Sequence, residues 1–97
     1  MPGTVTDKAD DLALYYHEFC PFCIRVLRVV ERLGIDLEMR DVRAEPANRQ
    51  ELIAGGGRGM VPCLRIDDGA GDYTWMYESA DIANYLIRRF GQQTAQG

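Results

Sequence analysis

The stretch LALYYHEFCPFCIRVLRVVERLG, residues 12–34, contains an apolar run, a pair of cysteines and a helix-like pattern. Residues 12–16 are apolar or aromatic over the length of a strand. Pro21 suits the first turn of a helix, and the apolar residues from there to Leu33 recur at helical spacing. Gly34 is typical of the residue that ends a helix. This stretch therefore predicts a strand, a turn that carries the cysteines, and a helix.

The residues after Gly34 predict the rest of an α/β domain. Residues 35–42 alternate apolar and charged side chains, as a half-buried strand does, and Pro46 favours a second helix over roughly 46–54. Residues 61–67 and 73–77 predict a hairpin around the turn DDGAGD. Ser79 is a natural N-cap for a last helix that reaches Phe90. The predicted order is βαβαββα, a four-stranded mixed sheet flanked by helices on both faces.

The length and composition favour one domain. The chain has 97 residues, of which 46% are hydrophobic, enough for one core. Residues 1–10 are mostly polar and predict a flexible leader, and residues 91–97 predict a flexible tail. The domain itself is predicted over residues 11–90.

The charge and the cysteine content narrow the function classes. A net charge of −4 argues against a nucleic-acid partner and gives no attraction to an anionic membrane. No apolar run approaches the roughly 18 residues that span a bilayer, and the N-terminus lacks the pattern of a secretory signal. We therefore expect a cytoplasmic protein, in a compartment where thiols are mostly kept reduced. The odd number of cysteines, 3, also fits poorly with a scaffold held by disulfides.

The cysteine pair CPFC allows three interpretations: half of a metal site, a structural disulfide, or a redox pair. A zinc site needs four ligands, and only His17 and Cys63 are available to complete one, so no metal is expected. Cys20 lies just before a helix, where free N–H groups and the helix dipole should favour its thiolate and lower its pKa. Cys23 lies one turn inside the helix, less exposed, and is placed to attack a mixed disulfide on Cys20. Redox chemistry is the favoured interpretation.

The sequence alone leaves the roles of two further residues, Cys63 and His17, undecided. Cys63 alternates with Leu64 at the start of a strand, so it is either a small buried hydrophobe or a third redox thiol. His17 stands three residues before Cys20, where it either tunes the pKa of the thiol or lies exposed without a role.

Four segments in order resemble a glutaredoxin, within the thioredoxin-like superfamily. They are CPFC, RGMVP before the third strand, the hairpin DDGAGDYTWMY, and ESADIANYL at the last helix. The last segment resembles the glutathione-binding domain of glutathione transferases more than the Gly-Gly pair of common small glutaredoxins. Phe22 stands where tyrosine is more usual, and His17 stands where a basic residue is often found. The resemblance covers residues 11–90.

The resemblance implies a glutathione site formed by Phe22, Arg58, Val61, Pro62, Glu78 and Ser79. In it the backbone of Val61, before a cis proline, pairs with the cysteinyl unit, and Glu78 and Ser79 hold the γ-glutamyl end. A helix N-terminus is a good carboxylate site, and an arginine such as Arg58 can pair with the glycyl carboxylate. Each residue also has a purely structural interpretation. Ser79 and Glu78 can simply begin a helix, Pro62 can begin a strand, and Arg58 can be solvated.

The activity that the resemblance implies is that of a glutathione-dependent thiol–disulfide oxidoreductase. It would reduce protein–glutathione mixed disulfides and protein disulfides through nucleophilic Cys20, with Cys23 as the resolving thiol and glutathione as co-substrate. The expected partners are glutathionylated or disulfide-containing proteins, and the expected state is a monomer. Two alternatives remain: a glutathione-ligated iron–sulfur module, against which the stiff turn at Pro21 counts, and a glutathione-binding domain like that of the transferases.

Overall fold

A computed structural model describes residues 7–95, which form four strands and three helices. The strands are β1 (Asp7–Tyr16), β2 (Ile35–Asp41), β3 (Cys63–Asp67) and β4 (Tyr73–Met76). The helices are α1 (Pro21–Leu33), α2 (Pro46–Gly56) and α3 (Ser79–Ala95). The sheet order is β2-β1-β3-β4, in which β1 and β2 are parallel and the other pairs antiparallel. The predicted fold class is confirmed.

The ends of α1 follow from local sequence. Pro21 takes the first helical position, where its missing N–H leaves no hydrogen bond unmade. Gly34 adopts a φ of 68°, in the left-handed region that glycine enters most readily, and its N–H donates to the carbonyls of Val30 and Glu31. Among the described residues, none of the helices is long and apolar enough to cross a membrane.

Two apolar clusters cover the two faces of the sheet. Successive residues of β1 point to opposite faces, so Leu14 packs with α1 and α3, whereas Tyr15 packs with α2. The larger cluster is Ala9, Leu12, Leu14, Val26, Val30, Ile35, Leu37, Leu64, Ile82, Leu86 and Phe90. The smaller cluster is Ala13, Tyr15, Val42, Leu52 and Cys63. Helices therefore lie on both faces of the sheet, as the sequence predicted.

Both ends of the described chain are more ordered than the sequence predicted. The predicted leader of residues 1–10 is wrong over its last part, because β1 begins at Asp7 and pairs with β2 from there, and Ala9 is buried. Residues 1–6, and residues 96–97 of the predicted tail, lie outside the described part. The predicted tail of residues 91–97 is wrong as far as Ala95, because α3 continues through Gly91. A glycine within a helix lowers its stability by only about 1 kcal/mol, and no proline follows.

Two predicted element starts also shift. The third strand begins at Cys63 rather than residue 61, since Pro62 has no N–H for the ladder and the pairing with β1 starts with Cys63 opposite Tyr15. The last helix has Glu78 rather than Ser79 at its N-cap position. The Glu78 carbonyl accepts the first helical hydrogen bond, from the N–H of Ile82 at 2.9 Å, and Ser79 is the first helical residue.

Candidate active site around Cys20

Cys20 occupies the N-cap of α1, directly after the turn that follows β1. Its backbone is extended, with φ −88° and ψ 119°, and its carbonyl accepts from the N–H of Ile24 at 2.9 Å. Its own N–H donates to the carbonyl of His17 at 3.3 Å. These bonds hold the half-buried Cys20 where the free N–H groups of the first turn converge.

The sulfur of Cys20 has two contacts, one of which favours its thiolate form and the other its protonated form. The N–H of Cys23 donates to Cys20 Sγ at 3.4 Å, a bond that a negative sulfur accepts more strongly than a neutral one. In its protonated form the thiol can donate to the carbonyl of Val61, 3.9 Å away. The sulfur therefore lies between a donor from α1 and an acceptor from the segment before β3. It is the partly accessible member of the three free thiols.

The other two thiols are buried and have no solvent-exposed surface. Burial raises the pKa of the Cys23 thiol, because the charged form loses its hydration there. Burial also raises the pKa of Cys63 to about 12, in the cluster that α2 covers. The structure thus favours the core interpretation of Cys63.

We expect iodoacetamide to label the reduced, folded protein once, at Cys20. At about pH 7.5 the thiols of Cys23 and Cys63 are protonated and out of contact with solvent, and only a thiolate reacts at a useful rate. Peptide mapping by mass spectrometry gives the site. Labelling in urea should modify all three thiols, and labelling of Cys63 in the folded protein as fast as Cys20 would contradict this assignment.

A groove of about 160 Å³ lies next to Cys20. It runs from the N-terminal turn of α1, past the segment before β3, to the N-terminus of α3. The Val61–Pro62 peptide bond in its wall is cis, as the resemblance implied. The groove is lined by Phe22, Met60, Val61, Pro62, Tyr77, Glu78 and Ser79. Two helix N-termini, each with free N–H groups, therefore border the same groove.

Five of the residues proposed from the sequence line this groove: Phe22, Val61, Pro62, Glu78 and Ser79. Arg58 does not line it, and its guanidinium lies 5.5 Å from the centre of the Tyr77 ring. His17 lies on the turn before Cys20, where its Nδ1 accepts from the N–H of Phe19 at 3.3 Å. Within residues 7–95, no three His, Cys, Asp or Glu side chains are grouped as metal ligands would be.

Tyr77 and Met60 line the groove but were not predicted from the sequence. The Tyr77 hydroxyl donates to the carbonyl of Arg58 at 2.9 Å and accepts from its N–H at 3.2 Å. This pair of bonds fixes the loop before Val61 against the end of β4. The aromatic alternation of YTWMY predicted a strand, and nothing in it indicates a partner that lies 19 residues earlier. Met60 is 59% exposed, and its place before VP in RGMVP was the available signal.

Comparison with known proteins assigns the family. The family model described as glutathione S-transferase, N-terminal domain, matches residues 19–89, which include Cys20 and the whole groove. The chain belongs to this glutathione S-transferase N-terminal domain family. The domain is also 30% identical over 57 residues to glutaredoxin 3 of Escherichia coli K12, which is 59% of this chain and 69% of that protein. These matches confirm the resemblance to both groups.

Solved structures similar to this glutathione S-transferase N-terminal domain belong to longer chains. A trimeric glutathione transferase from Leishmania is 30% identical, with a TM-score of 0.66 over 81% of this chain and 18% of that chain. Glutaredoxin 2 from Salmonella typhimurium, solved in complex with glutathione, is 26% identical with a TM-score of 0.64. That match covers 80% of this chain and 33% of the other. The domain thus spans a third or less of each of these two proteins.

Proposed function

We propose that this domain is a glutathione-dependent thiol–disulfide oxidoreductase that reduces protein–glutathione mixed disulfides and protein disulfides. The observation that supports this most is the Cys20 sulfur at the N-cap of α1, with a hydrogen bond from Cys23 N–H, at the edge of a groove. A sulfur in that position is a suitable nucleophile, because backbone dipoles favour its negative charge. The relatives named glutaredoxin, and the glutathione held by the Salmonella protein, support glutathione as co-substrate.

The proposed reaction is two thiol–disulfide exchanges. The Cys20 thiolate attacks the glutathione sulfur of the mixed disulfide, a Cys20–glutathione disulfide forms, and the substrate protein leaves as a thiolate that takes up a proton. The thiolate of a second glutathione then attacks the glutathione sulfur on Cys20. Cys20 leaves as a thiolate, and oxidised glutathione is released. The net reaction converts one glutathione thiol and one mixed disulfide into one protein thiol and one oxidised glutathione, and Cys20 returns to its starting state.

Cys23 supplies a second branch, in which it displaces glutathione from Cys20 and closes a Cys20–Cys23 disulfide. Because burial raises the pKa of Cys23, its thiol must lose a proton in an apolar place before it attacks. That requirement slows this branch. We therefore infer that the exchange with a second glutathione carries most of the turnover, and that Cys23 acts when glutathione is scarce or when the substrate is a protein disulfide.

The groove offers groups for each part of glutathione. The backbone of Val61, whose carbonyl already faces Cys20 Sγ, can pair with the cysteinyl unit in a strand-like way. The free N–H groups at the start of α3 suit the γ-glutamyl carboxylate, and Glu78 can accept from the α-amino group. Arg58 reaches the glycyl carboxylate only if its guanidinium leaves the face of Tyr77, so it is the weakest member of the proposed set.

The test is a turnover assay with glutathione, glutathione reductase, NADPH and the mixed disulfide of glutathione and 2-mercaptoethanol. We expect oxidised glutathione to form at a rate that saturates with the mixed disulfide and far exceeds the reaction without protein. A rate equal to that background would rule the function out.

Glu78→Gln should raise the KM for the mixed disulfide about tenfold, since a hydrogen bond to a charged group contributes about 1.5–3 kcal/mol. The matched control is Glu45→Gln, which removes an exposed carboxylate at the start of α2, away from the groove. Steady-state kinetics measure both. Equal KM values for the two variants would remove Glu78 from the site.

A transferase-like glutathione carrier is a second candidate, because the matching family model is that of a transferase domain. Such a protein would activate the thiol of bound glutathione toward an electrophile. Conjugation of glutathione to 1-chloro-2,4-dinitrobenzene, undiminished by Cys20→Ser, would favour it over the oxidoreductase.

We further propose a cytoplasmic setting and a monomeric state. The odd number of cysteines, 3, and the proposed redox use of two of them suit a reducing compartment. The Leishmania relative is a trimer by its own description, so sedimentation velocity of this domain is the measurement that decides between the two states.

A further inference from the structure

We propose that a groove along α1 binds an acidic segment of the protein substrate, next to the disulfide that Cys20 attacks. This inference rests on the proposed oxidoreductase function and names the kind of substrate that this site prefers. The surface is called the α1 arginine groove below. It has a volume of about 370 Å³ and is lined by Pro21, Ile24, Arg25, Arg28, Val29 and Arg32.

The α1 arginine groove begins at the residue that follows the nucleophile. Pro21 is joined directly to Cys20, and the three arginines follow at spacings of four, three and four, which places them on one face of the helix. Phe22, which lines the glutathione groove, lies on a neighbouring face of the same turn. A mixed disulfide at Cys20 therefore has the glutathione groove on one side and the arginines on the other.

The arginines of this groove lack an ion-pair partner in the described part of the chain. Within residues 7–95, no carboxylate forms an ion pair with Arg25, Arg28 or Arg32. Elsewhere in the described chain three arginines are paired: Arg40 with Glu38 and Glu51, Arg65 with Glu51, and Arg89 with Asp11. The other arginines described there, Arg43, Arg49, Arg58 and Arg88, form no ion pair and lie on different elements or loops.

The charge of the α1 arginine groove is opposite in sign to the net charge of the chain. The whole chain carries a net charge of −4, whereas α1 carries three arginines that form no ion pair within residues 7–95 and one acidic residue, Glu31, so the charge of this helix is opposite in sign. The positive end of the α1 dipole lies at the Pro21 end of the groove, where the first turn contains no acidic residue, whereas Arg32 lies in the last turn. The field at this face therefore attracts anions although the protein as a whole is an anion.

The length of the groove sets the size of its occupant. From Pro21 to Arg32 a helix rises about 16 Å, which about five residues of extended chain can follow. Ile24 and Val29 add apolar surface between the arginines. The fitting occupant is an extended segment of about five residues with two or three carboxylates, beside the glutathionylated cysteine. Guanidinium groups bind carboxylates through paired N–H donors, so a carboxylate-rich peptide suits them well.

The test compares glutathionylated peptides that differ only in charge. One set carries Asp residues at the positions next to the cysteine, before it or after it, and a matched peptide carries Asn there. With the wild-type protein we expect kcat/KM for one of the acidic peptides to exceed that for the Asn peptide about 3- to 10-fold, as two exposed ion pairs allow. The preference should shrink as salt is added, because rim charges act mainly on association.

Two charge-matched variants locate the preference. Arg25→Gln with Arg28→Gln should reduce the ratio of the two kcat/KM values to near one. Arg49→Gln with Arg88→Gln removes the same charge from exposed positions on α2 and α3, and should keep the ratio. The inference is overturned if the wild-type protein has the same kcat/KM for the acidic and the Asn peptides. It is also overturned if the two double variants lose the preference for acidic peptides to the same extent. If the wild-type protein does not reduce even the small mixed disulfide of glutathione and 2-mercaptoethanol, the proposed oxidoreductase function itself is wrong.

Discussion

Cys20→Ser should abolish reduction of the glutathione mixed disulfide, with kcat/KM lower by about a thousandfold or more. The hydroxyl cannot replace the thiolate as a nucleophile toward sulfur at neutral pH, and the other two thiols are buried. Cys23→Ser should stay within about tenfold of wild type, because a second glutathione can regenerate Cys20 without it. The coupled assay with the small mixed disulfide measures both variants.

The two serine variants also check each other. Cys20 is at the surface of the site and Cys23 in the core, so Cys23→Ser carries the larger risk of lost stability. Thermal unfolding of both variants separates a folding defect from a chemical one. If Cys23→Ser is the inactive variant and Cys20→Ser turns over, the assignment of attacking and resolving thiols is reversed.

Leu86→Ala should lower the free energy of unfolding by about 2–5 kcal/mol, the largest effect on stability that we expect from one apolar truncation. Leu86 is fully buried between α3, α1 and the sheet, and its loss removes apolar contacts and leaves a cavity. The matched control is Ile87→Ala on the next residue of the same helix, where the side chain is 48% exposed. There we expect a change of about 1 kcal/mol or less.

Urea denaturation followed by circular dichroism measures both free energies. Similar losses for the two variants would mean that α3 does not pack on the sheet through the face that contains Leu86. The result also bears on the site, since α3 carries Glu78 and Ser79 to the groove.

The sequence predicted the structure best where a residue determines the conformation of its own backbone. Pro21 and Gly34 set the ends of α1 through the geometry of their own peptide units, and both were predicted. The mixed four-stranded sheet with helices on both faces was also predicted, because the order of elements along the chain implies it, whereas the strand order was not predicted. The CPFC spacing further predicted the unequal burial of Cys20 and Cys23.

The sequence was least informative where distant segments decide the structure. The start of β1 is polar and becomes a strand only because β2 pairs with it and Ala9 is covered by the core. The role of Tyr77 depends on hydrogen bonds to the backbone of Arg58, which no local pattern encodes. Arg58 itself was predicted as a ligand, and its guanidinium lies over that ring, so its role as a ligand stays a prediction. The groove residues proposed from the resemblance are together in space, and their contacts with glutathione stay a prediction.

The buried position of Cys63 determines how fast this cysteine is irreversibly oxidised under oxidative stress. A thiol with no exposed surface and a pKa near 12 reacts with peroxide only while the surrounding core is open. The rate of irreversible damage at Cys63 is then set by the frequency of unfolding rather than by sulfur chemistry. A less stable variant such as Leu86→Ala should therefore accumulate sulfonic acid at this residue sooner, which mass spectrometry detects. The conformational stability of the domain therefore protects Cys63 from oxidation.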